Sequence, residues 1–466
     1  MTERHIAIIE AIVIGRLVDP GSERYTKSWA EDRSAIYELT GGLNSHSLNT
    51  YYRAGDKLFI SKDTIETHLS KREKEMFALP EQLCFFDLTN TYLEGQALNN
   101  PKAKRGRSDC KLLTLAMVVD EHGFVKYSQL YTGNKSDCKT LEVMVESLKK
   151  LRPDISQQHT VIMDAGIATK ENIEYLKGKE IKYIVVNRGK GSFIAEDTND
   201  MRVMFKDDDK NFKIEVKRQE KNGETWLLCR STGRRHKEGG IRGRQEINFL
   251  NELEKTRVGL TKKGCTKKFN RILEKIGRLR QKYPKASKVY DNTVEPDGDK
   301  LDSKTVAKDI IWNKRDQYDA EVKYEGCYVL RTNCVKLSDE EIWKTYVMLT
   351  RIERAFRCLK MDLGLRPVYH QIEFRSDTHM FATVLSYHIL NIIEYRLRMH
   401  GDHRSWNTIR NILSTHQRLT IEFKYTKKGI VNHGSIRTCS LPEKEHQLIY
   451  YRLGLSDLPL RKVQNL

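Results

Sequence analysis

The chain opens with apolar residues at helical spacing. Ile6, Ile9, Val13 and Leu17, with Ile8 and Ile12 beside them, predict a helix over 1–17, and Pro20-Gly21 ends it. A second helix is predicted over 64–77, closed before Pro80, with short helix and loop between the two. The period then shortens. Residues 83–89, 112–119 and 125–132 are short, apolar and rich in β-formers, and Asp120-Glu121-His122-Gly123 predicts a hairpin turn between the last two. A helix over 137–151, a strand over 159–164, a helix over 169–178 and a strand over 181–187 follow. Three meandering strands and then helix–strand–helix–strand is the order of a mixed-sheet α/β core. Residues 191–325 break that rhythm. The alternating segments MRVMF, NFKIEVKRQ and TWLLCRS predict a β-rich insertion, which continues into a basic helix over about 266–282 and loops rich in Asp and Lys. A strand over 327–332, helices over 338–362 and 376–399, a hairpin over 419–432 and a last helix over 442–453 complete the chain. The expected organisation is a helical region (1–80), a first core part (81–190), the insertion (191–325), a second core part (326–375) and a helical region (376–466).

Composition narrows the function classes. The 466 residues are 39% hydrophobic and 9% aromatic, enough for a sizeable core and too much for a wholly disordered chain. No run approaches the ~18 apolar residues of a membrane helix, so no membrane partner is expected. Two acids near the start and no small-residue cleavage site argue against a secretory signal. The 9 cysteines are scattered singly, as expected of reduced thiols in a cytoplasmic protein. The formal net charge of +19 points to a polyanionic partner, most simply nucleic acid. Its location sharpens this. Residues 1–80 hold 11 basic and 12 acidic side chains, whereas 201–290 hold 26 and 11. Lys262, Lys263, Lys267 and Lys268 lie in that stretch and are candidate phosphate-backbone contacts, which give affinity without sequence reading.

Three acids are candidates for chemistry. Asp87 lies inside the apolar strand CFFDLTNTY, and Asp164 ends the apolar strand VIMDAG. Either alone reads as an edge-strand or capping acid. Together they would repel unless a divalent cation neutralised them, so the pair points to a metal site. A two-metal clamp needs a third acid. Glu353, within YVMLTRIERAFRCLK, is the candidate, with Tyr346 and Lys360 seven residues to either side on one predicted helical stripe and Arg357 one turn on. By spacing alone that stripe reads as a charge ladder. Oxygen donors without a Cys/His set suit Mg²⁺ or Mn²⁺. No phosphate-binding GxxxxGK[ST] loop, GxSxG elbow or HExxH pair is present.

At these residues the sequence resembles the DDE transposases of bacterial insertion sequences, in the insertion-sequence-4-like superfamily. That group carries Tyr-x2-Arg-x3-Glu-x6-Lys around its third acid. Tyr346, Glu353 and Lys360 match it, while Leu349 stands at the Arg position, leaving Arg351, Arg354 or Arg357 to supply the phosphate contact. FFDLTNTYLEG, RGRSDCKLLTLAMVVDEHGF…LYTGNKSDCKTL, VIMDAGIATKENIEYL, ERAFRCLKMDLGLRPVYH and the N-terminal GRLVDPGSER also fit the family's motifs. The resemblance implies an RNase H-like catalytic core, with Asp87, Asp164 and Glu353 as catalytic ligands of two Mg²⁺ or Mn²⁺ ions. It implies cleavage at transposon ends followed by strand transfer. It also implies double-stranded DNA partners (terminal inverted repeats and target DNA), a homodimer on DNA and a place in the bacterial cytoplasm at the nucleoid. Trp226 and Trp312 are the candidates for stacking on a displaced base. A metal-dependent nuclease that cuts without joining, or a non-catalytic DNA-binding remnant, are the alternatives.

Overall fold

The computed structural model describes the chain apart from residues 41–45, 80–81, 95–110, 133–139, 152–158, 188, 190–192, 194–197, 299–304, 316–323, 371, 428–429, 457–459, 461 and 466. It divides into two compact units, Met1–Tyr183 with Thr345–Leu466, and Ile184–Lys344. The second contains the whole of the predicted insertion and extends beyond it on both sides.

The first unit opens with α1 (Glu3–Val18), α2 (Glu23–Asp32), α3 (Ile36–Leu39), α4 (Leu48–Ile60) and α5 (Lys62–Phe77). The apolar spacing of α1 buries Ile8, Ala11 and Ile12. The chain turns at Pro20-Gly21, and the Ser22 hydroxyl caps α2 by accepting from Tyr25 N at 3.3 Å. Then come β1 (Leu83–Leu93), β2 (Lys111–Val119), β3 (Val125–Thr132), α6 (Leu141–Leu151), β4 (Thr160–Met163), α7 (Lys170–Gly178) and β5 (Lys182–Val186). The predicted hairpin turn between β2 and β3 is present. Asp120 Oδ1 accepts from His122 N and Phe124 N, both at 2.9 Å, and Gly123 takes the left-handed conformation at φ 85°. The sheet order is β3-β2-β1-β4-β5, antiparallel between β1, β2 and β3 and parallel between β1 and β4. Mixed pairing in that order makes this an RNase H-like α/β core.

The second unit begins within β5 after Tyr183. It holds β6 (Arg202–Asp207), β7 (Phe212–Lys221), β8 (Glu224–Ser231), α8 (Thr232–Gly259), α9 (Phe269–Lys282), α10 (Pro284–Ser287), β9 (Tyr290–Pro296), β10 (Ala307–Lys314), β11 (Cys327–Thr332) and most of α12 (Asp339–Val347). β6, β7 and β8 form an antiparallel meander whose last strand pairs with β11, and β11 also pairs with residues 184–186 of β5. Two elements depart from the sequence pattern. The glycine-studded basic stretch from 232 forms the 28-residue α8. Four of its five glycines lie before the last residue, and each costs about 1 kcal/mol against alanine in a helix interior. The cap from Ser231 and the burial of Phe249 and Leu253 against Ile272, Ile276, Leu279 and Ile310 offset that cost. The Asp- and Lys-rich loops likewise contain a hairpin, β9 with β10.

The chain returns to the first unit with α13 (Thr350–Met361), α14 (Glu373–Met399), α15 (Trp406–Leu413), β12 (Arg418–Lys427), β13 (Ile430–Cys439), α16 (Lys444–Leu453) and β14 (Val463–Asn465). The region after 376 is therefore helical with a three-stranded sheet, β12-β13-β14, added to it. α14 is the central column of the unit. Phe381, Ala382 and Leu385 join Ile8, Ile12, Trp29, Tyr51 and Leu58 in one core. The predicted helix over 338–362 is interrupted. Met348 N and Leu349 N make tight bonds back to Thr345 and Tyr346 carbonyls, and the Thr350 hydroxyl binds the Val347 carbonyl at 2.8 Å. A threonine that satisfies a carbonyl in this way competes with helix continuation. Tyr346 thus ends α12 while Glu353 belongs to α13, and the single stripe expected from Tyr346 to Lys360 survives only from Glu353 onward.

Candidate active site

β1 places Asp87 within the sheet, half-buried between Phe86 and Leu88, with Met117 opposite on β2. Its Oδ1 accepts from Leu88 N at 2.8 Å. On the other side β4 runs parallel in a register that sets Phe86 beside Met163. Asp87 is the next residue on β1, and Asp164 is the first residue past the end of β4, so both acids directly follow the last paired position. Asp164 itself is exposed, because β4 ends there. Its carbonyl accepts from Ile167 N and Ala168 N, both at 3.1 Å, which turns the chain at once into α7, capped by Thr169. An acid at the carboxyl end of a parallel strand, followed by a small-residue turn into a helix, stands where open α/β sheets gather ligands.

α13 packs on β1 and β2. Its buried stripe includes Ile352, Ala355, Phe356 and Leu359, while Glu353 and Arg357 stay exposed and Lys360 is half-buried. Glu353 is exposed in the first turn, where the helix dipole favours an anion. Lys360 is two turns on, about 10.5 Å along the axis. Burial and the nearby Arg366 cation lower the Lys360 pKa, and the Asp87 carboxylate opposes them, so the ammonium lies within electrostatic reach of Asp87. Arg351 and Arg357 are exposed. Arg354 is held instead by Glu394 of α14, to whose Oε2 it donates at 2.8 Å. That carboxylate is buried and also accepts from Arg398.

Three carboxylates offering only oxygen suit a hard divalent cation. A different cluster does not. The ligand atoms of Glu23, His370 and His379 lie within 4.8 Å of one another. Arg16, fully buried, donates from Nη2 to Glu23 Oε1 at 3.2 Å and to His379 Nδ1 at 2.9 Å, and His370 Nε2 donates to Glu23 Oε2 at 2.6 Å. The guanidinium already occupies the cation's place. Burial and Arg16 push the His379 imidazole down to about 4, so it is neutral at physiological pH. Arg16 and Glu23 are charged residues of the GRLVDPGSER segment, and their structural role had no signal in periodicity or spacing. The segments 105–110 and 133–139 of the other quoted motif lie outside the described residues.

The remaining candidates are in the second unit. Lys262 and Lys263 follow α8, and Lys267 and Lys268 precede α9; all but the half-buried Lys267 are exposed. Trp226 of β8 and Trp312 of β10 are half-buried, packed against apolar clusters, with Arg331 at 4.9 Å over one ring and Arg257 at 5.8 Å over the other.

A transposase DDE domain matches residues 80–389, about two thirds of the chain and all three acids. The chain belongs to the DDE transposase family. None of the curated proteins matches this transposase chain. Among solved structures it is similar to a piggyBac transposase synaptic complex with hairpin DNA, at 7% identity and a TM-score of 0.42, covering 89% of this chain and 70% of that one. It is also similar to a Mos1 transposase paired-end complex with the left transposon end, at 9% identity and a TM-score of 0.17, covering 37% and 61%. Among the described residues no helix of the transposase is long and apolar enough to cross a membrane.

Proposed function

We propose that this transposase, of the insertion-sequence-4-like kind, cleaves DNA at the ends of its element and joins the freed 3′-hydroxyl to target DNA. The observation that carries the reading is the register of β1 and β4, whose last pair, Phe86 with Met163, directly precedes Asp87 and Asp164, with α13 packed on β1. Asp87, Asp164 and Glu353 would hold two divalent ions, Mg²⁺ or Mn²⁺. When bound, such ions acidify the attacking hydroxyl and stabilise the leaving oxygen. The chain's own residues do the rest. Lys360, half-buried beside Asp87, holds a phosphate oxygen next to the scissile bond. Tyr346 and the exposed Arg351 and Arg357 hold the flanking backbone. Arg354, committed to Glu394, fixes α13 instead. Lys262, Lys263, Lys267 and Lys268 grip the duplex of the inverted repeats without reading sequence. Synapsis of two ends requires two copies on DNA. Trp226 and Trp312, each with an arginine over its ring, serve packing before base stacking.

The test uses labelled DNA spanning each border of the element, with Mg²⁺ and a supercoiled target. Wild type should release the 3′ end and join it. Asp87→Asn, Asp164→Asn and Glu353→Gln should each reduce cleavage by at least about a thousandfold, the scale on which a removed transition-state donor is felt, with unchanged DNA binding. Cleavage that survives all three substitutions refutes the triad. Cleavage without joining makes the protein a nuclease, and binding without cleavage makes it a remnant.

A further inference from the structure

The C-terminal sheet ends on an open edge. β12 pairs with β13 along its whole length, from Arg418 with Cys439 to Lys427 with Ile430, with no bulge. β14 covers the far side of β13, which leaves β12 at the edge among the described residues. Of Leu419–Thr426, six residues are exposed and only Phe423 and Tyr425 are half-buried. One face of the strand is apolar, with Leu419 42% and Ile421 51% exposed. A long, straight, apolar edge without Pro, Gly or a bulge is a template for another strand. The base of the hairpin is fixed within the chain, because Arg418 Nη2 donates to Glu38 Oε2 at 2.7 Å and Arg437 Nε lies 2.5 Å from Glu38 Oε1.

We propose that β12 pairs antiparallel with β12 of a second copy, about a two-fold axis through Phe423. Charge complementarity favours a second copy as the partner and, among axes from Thr420 to Lys424, selects the register. Keeping Leu419, Ile421, Phe423 and Tyr425 of both copies on one face requires an axis through a residue. An axis through Glu422 or Lys424 sets a like charge against itself. One through Ile421 sets Arg418 against Lys424, and one through Thr420 needs Arg418, which Glu38 holds. An axis through Phe423 sets Glu422 opposite Lys424 twice and Ile421 opposite Tyr425 twice. Among the described residues, Glu422 and Lys424 are exposed and in no ion pair of their own chain. Opposite charges directly across an antiparallel pair attract and like charges repel. This dimer forms without DNA and stands whether or not the catalytic reading does.

The test is sedimentation of the full chain without DNA. Wild type should dimerise. Glu422→Lys and Lys424→Glu should each raise the dimer dissociation constant about tenfold, by turning two attractive pairs repulsive. The double variant Glu422→Lys/Lys424→Glu should restore wild-type association. Phe423→Cys should give a disulfide-linked dimer on mild oxidation, reversed by reductant and absent from wild type and from Thr426→Cys. Glu422, Lys424 and Thr426 are exposed and Phe423 is half-buried, so the charge swaps carry the test should Phe423→Cys fail to fold. A chain monomeric at micromolar concentration, a dimer indifferent to both single swaps, or a double variant that stays weak would overturn the proposal.

Discussion

Two helices of nearly equal length divide the labour of this molecule. α14 spans 27 residues and buries 16 of them, among them Ser376, His379, Ser386, His388, Asn391 and Glu394. α8 spans 28 and buries three, Phe249, Leu253 and Thr256. α14 is a core column whose buried charged and imidazole groups are answered from within. His379 meets Arg16 and Glu23, His388 Nδ1 meets Glu73 at 2.7 Å, and Glu394 meets Arg354 and Arg398. α8 is an arm held by a thin apolar stripe, with most of its length left to solvent. The comparison teaches that charge serves opposite ends in the two units. In the first, buried pairs fix the scaffold around the carboxylates. In the second, exposed cations are available to a partner.

The largest effect should come from breaking the buried side of that contrast. Glu23→Ala leaves Arg16 buried without its counter-ion, and stability measured by urea unfolding should fall by about 3–5 kcal/mol. A loss below about 1 kcal/mol would mean that the guanidinium reaches water and the column is not sealed. Next in size, Phe249→Ala removes the main anchor of α8 and should cost about 3 kcal/mol in the second unit. Limited proteolysis should then cut within 184–344 before it cuts α14, and the reverse order would count against two units. A third test is pH. The folded His379 pKa is depressed to about 4 from the ordinary 6.5. Its contribution is therefore present above pH 6.5 and is lost as pH falls from 6.5 toward 4. Glu23 is held well below the usual carboxylate range, since its histidine and arginine neighbours outweigh burial, and it adds the same sign below pH 4.5. His379→Gln should flatten the profile between pH 6.5 and 4. An imidazole signal for His379 that titrates near 6.5 would dispose of this account. The smallest stability effect belongs to the stretch between α8 and α9. Alanine at Lys262, Lys263, Lys267 and Lys268 should each shift stability by no more than about 0.5 kcal/mol. The salt dependence of DNA binding should nonetheless flatten, by about 0.9 in log–log slope for each phosphate that is no longer neutralised. An unchanged slope would return these lysines to solvated surface.

Much of the first unit was legible because its signals are local. The apolar periods of β1 to β5, the Asp120–Gly123 turn and the place of Asp87 inside an apolar strand each depend on a few neighbouring residues, and these stand where periodicity set them, while Asp164 falls one residue past its strand. The break between α12 and α13 was not legible, because it turns on where one threonine hydroxyl bonds. α8 was hidden by its glycines, whose unfavourable helix propensity is overridden by Phe249 and Leu253 meeting residues distant in sequence. Arg16, Glu23, His370 and His379 gave no pattern at all, since the two pairs are separated by more than 340 positions.

Sequence by itself determined the chemistry on offer here: three oxygen-donor acids, a cationic stretch between the second and third of them, and an order of strands and helices that fits a mixed sheet. Which elements carry those acids, and how those elements pair, was decided by the tertiary structure. Side-chain type and spacing are properties of the local chain, but register is not. Pairing Phe86 with Met163, one residue before Asp87 and Asp164, required hydrogen bonds between strands more than 70 residues apart, and seating α13 required its apolar stripe to find β1 and β2.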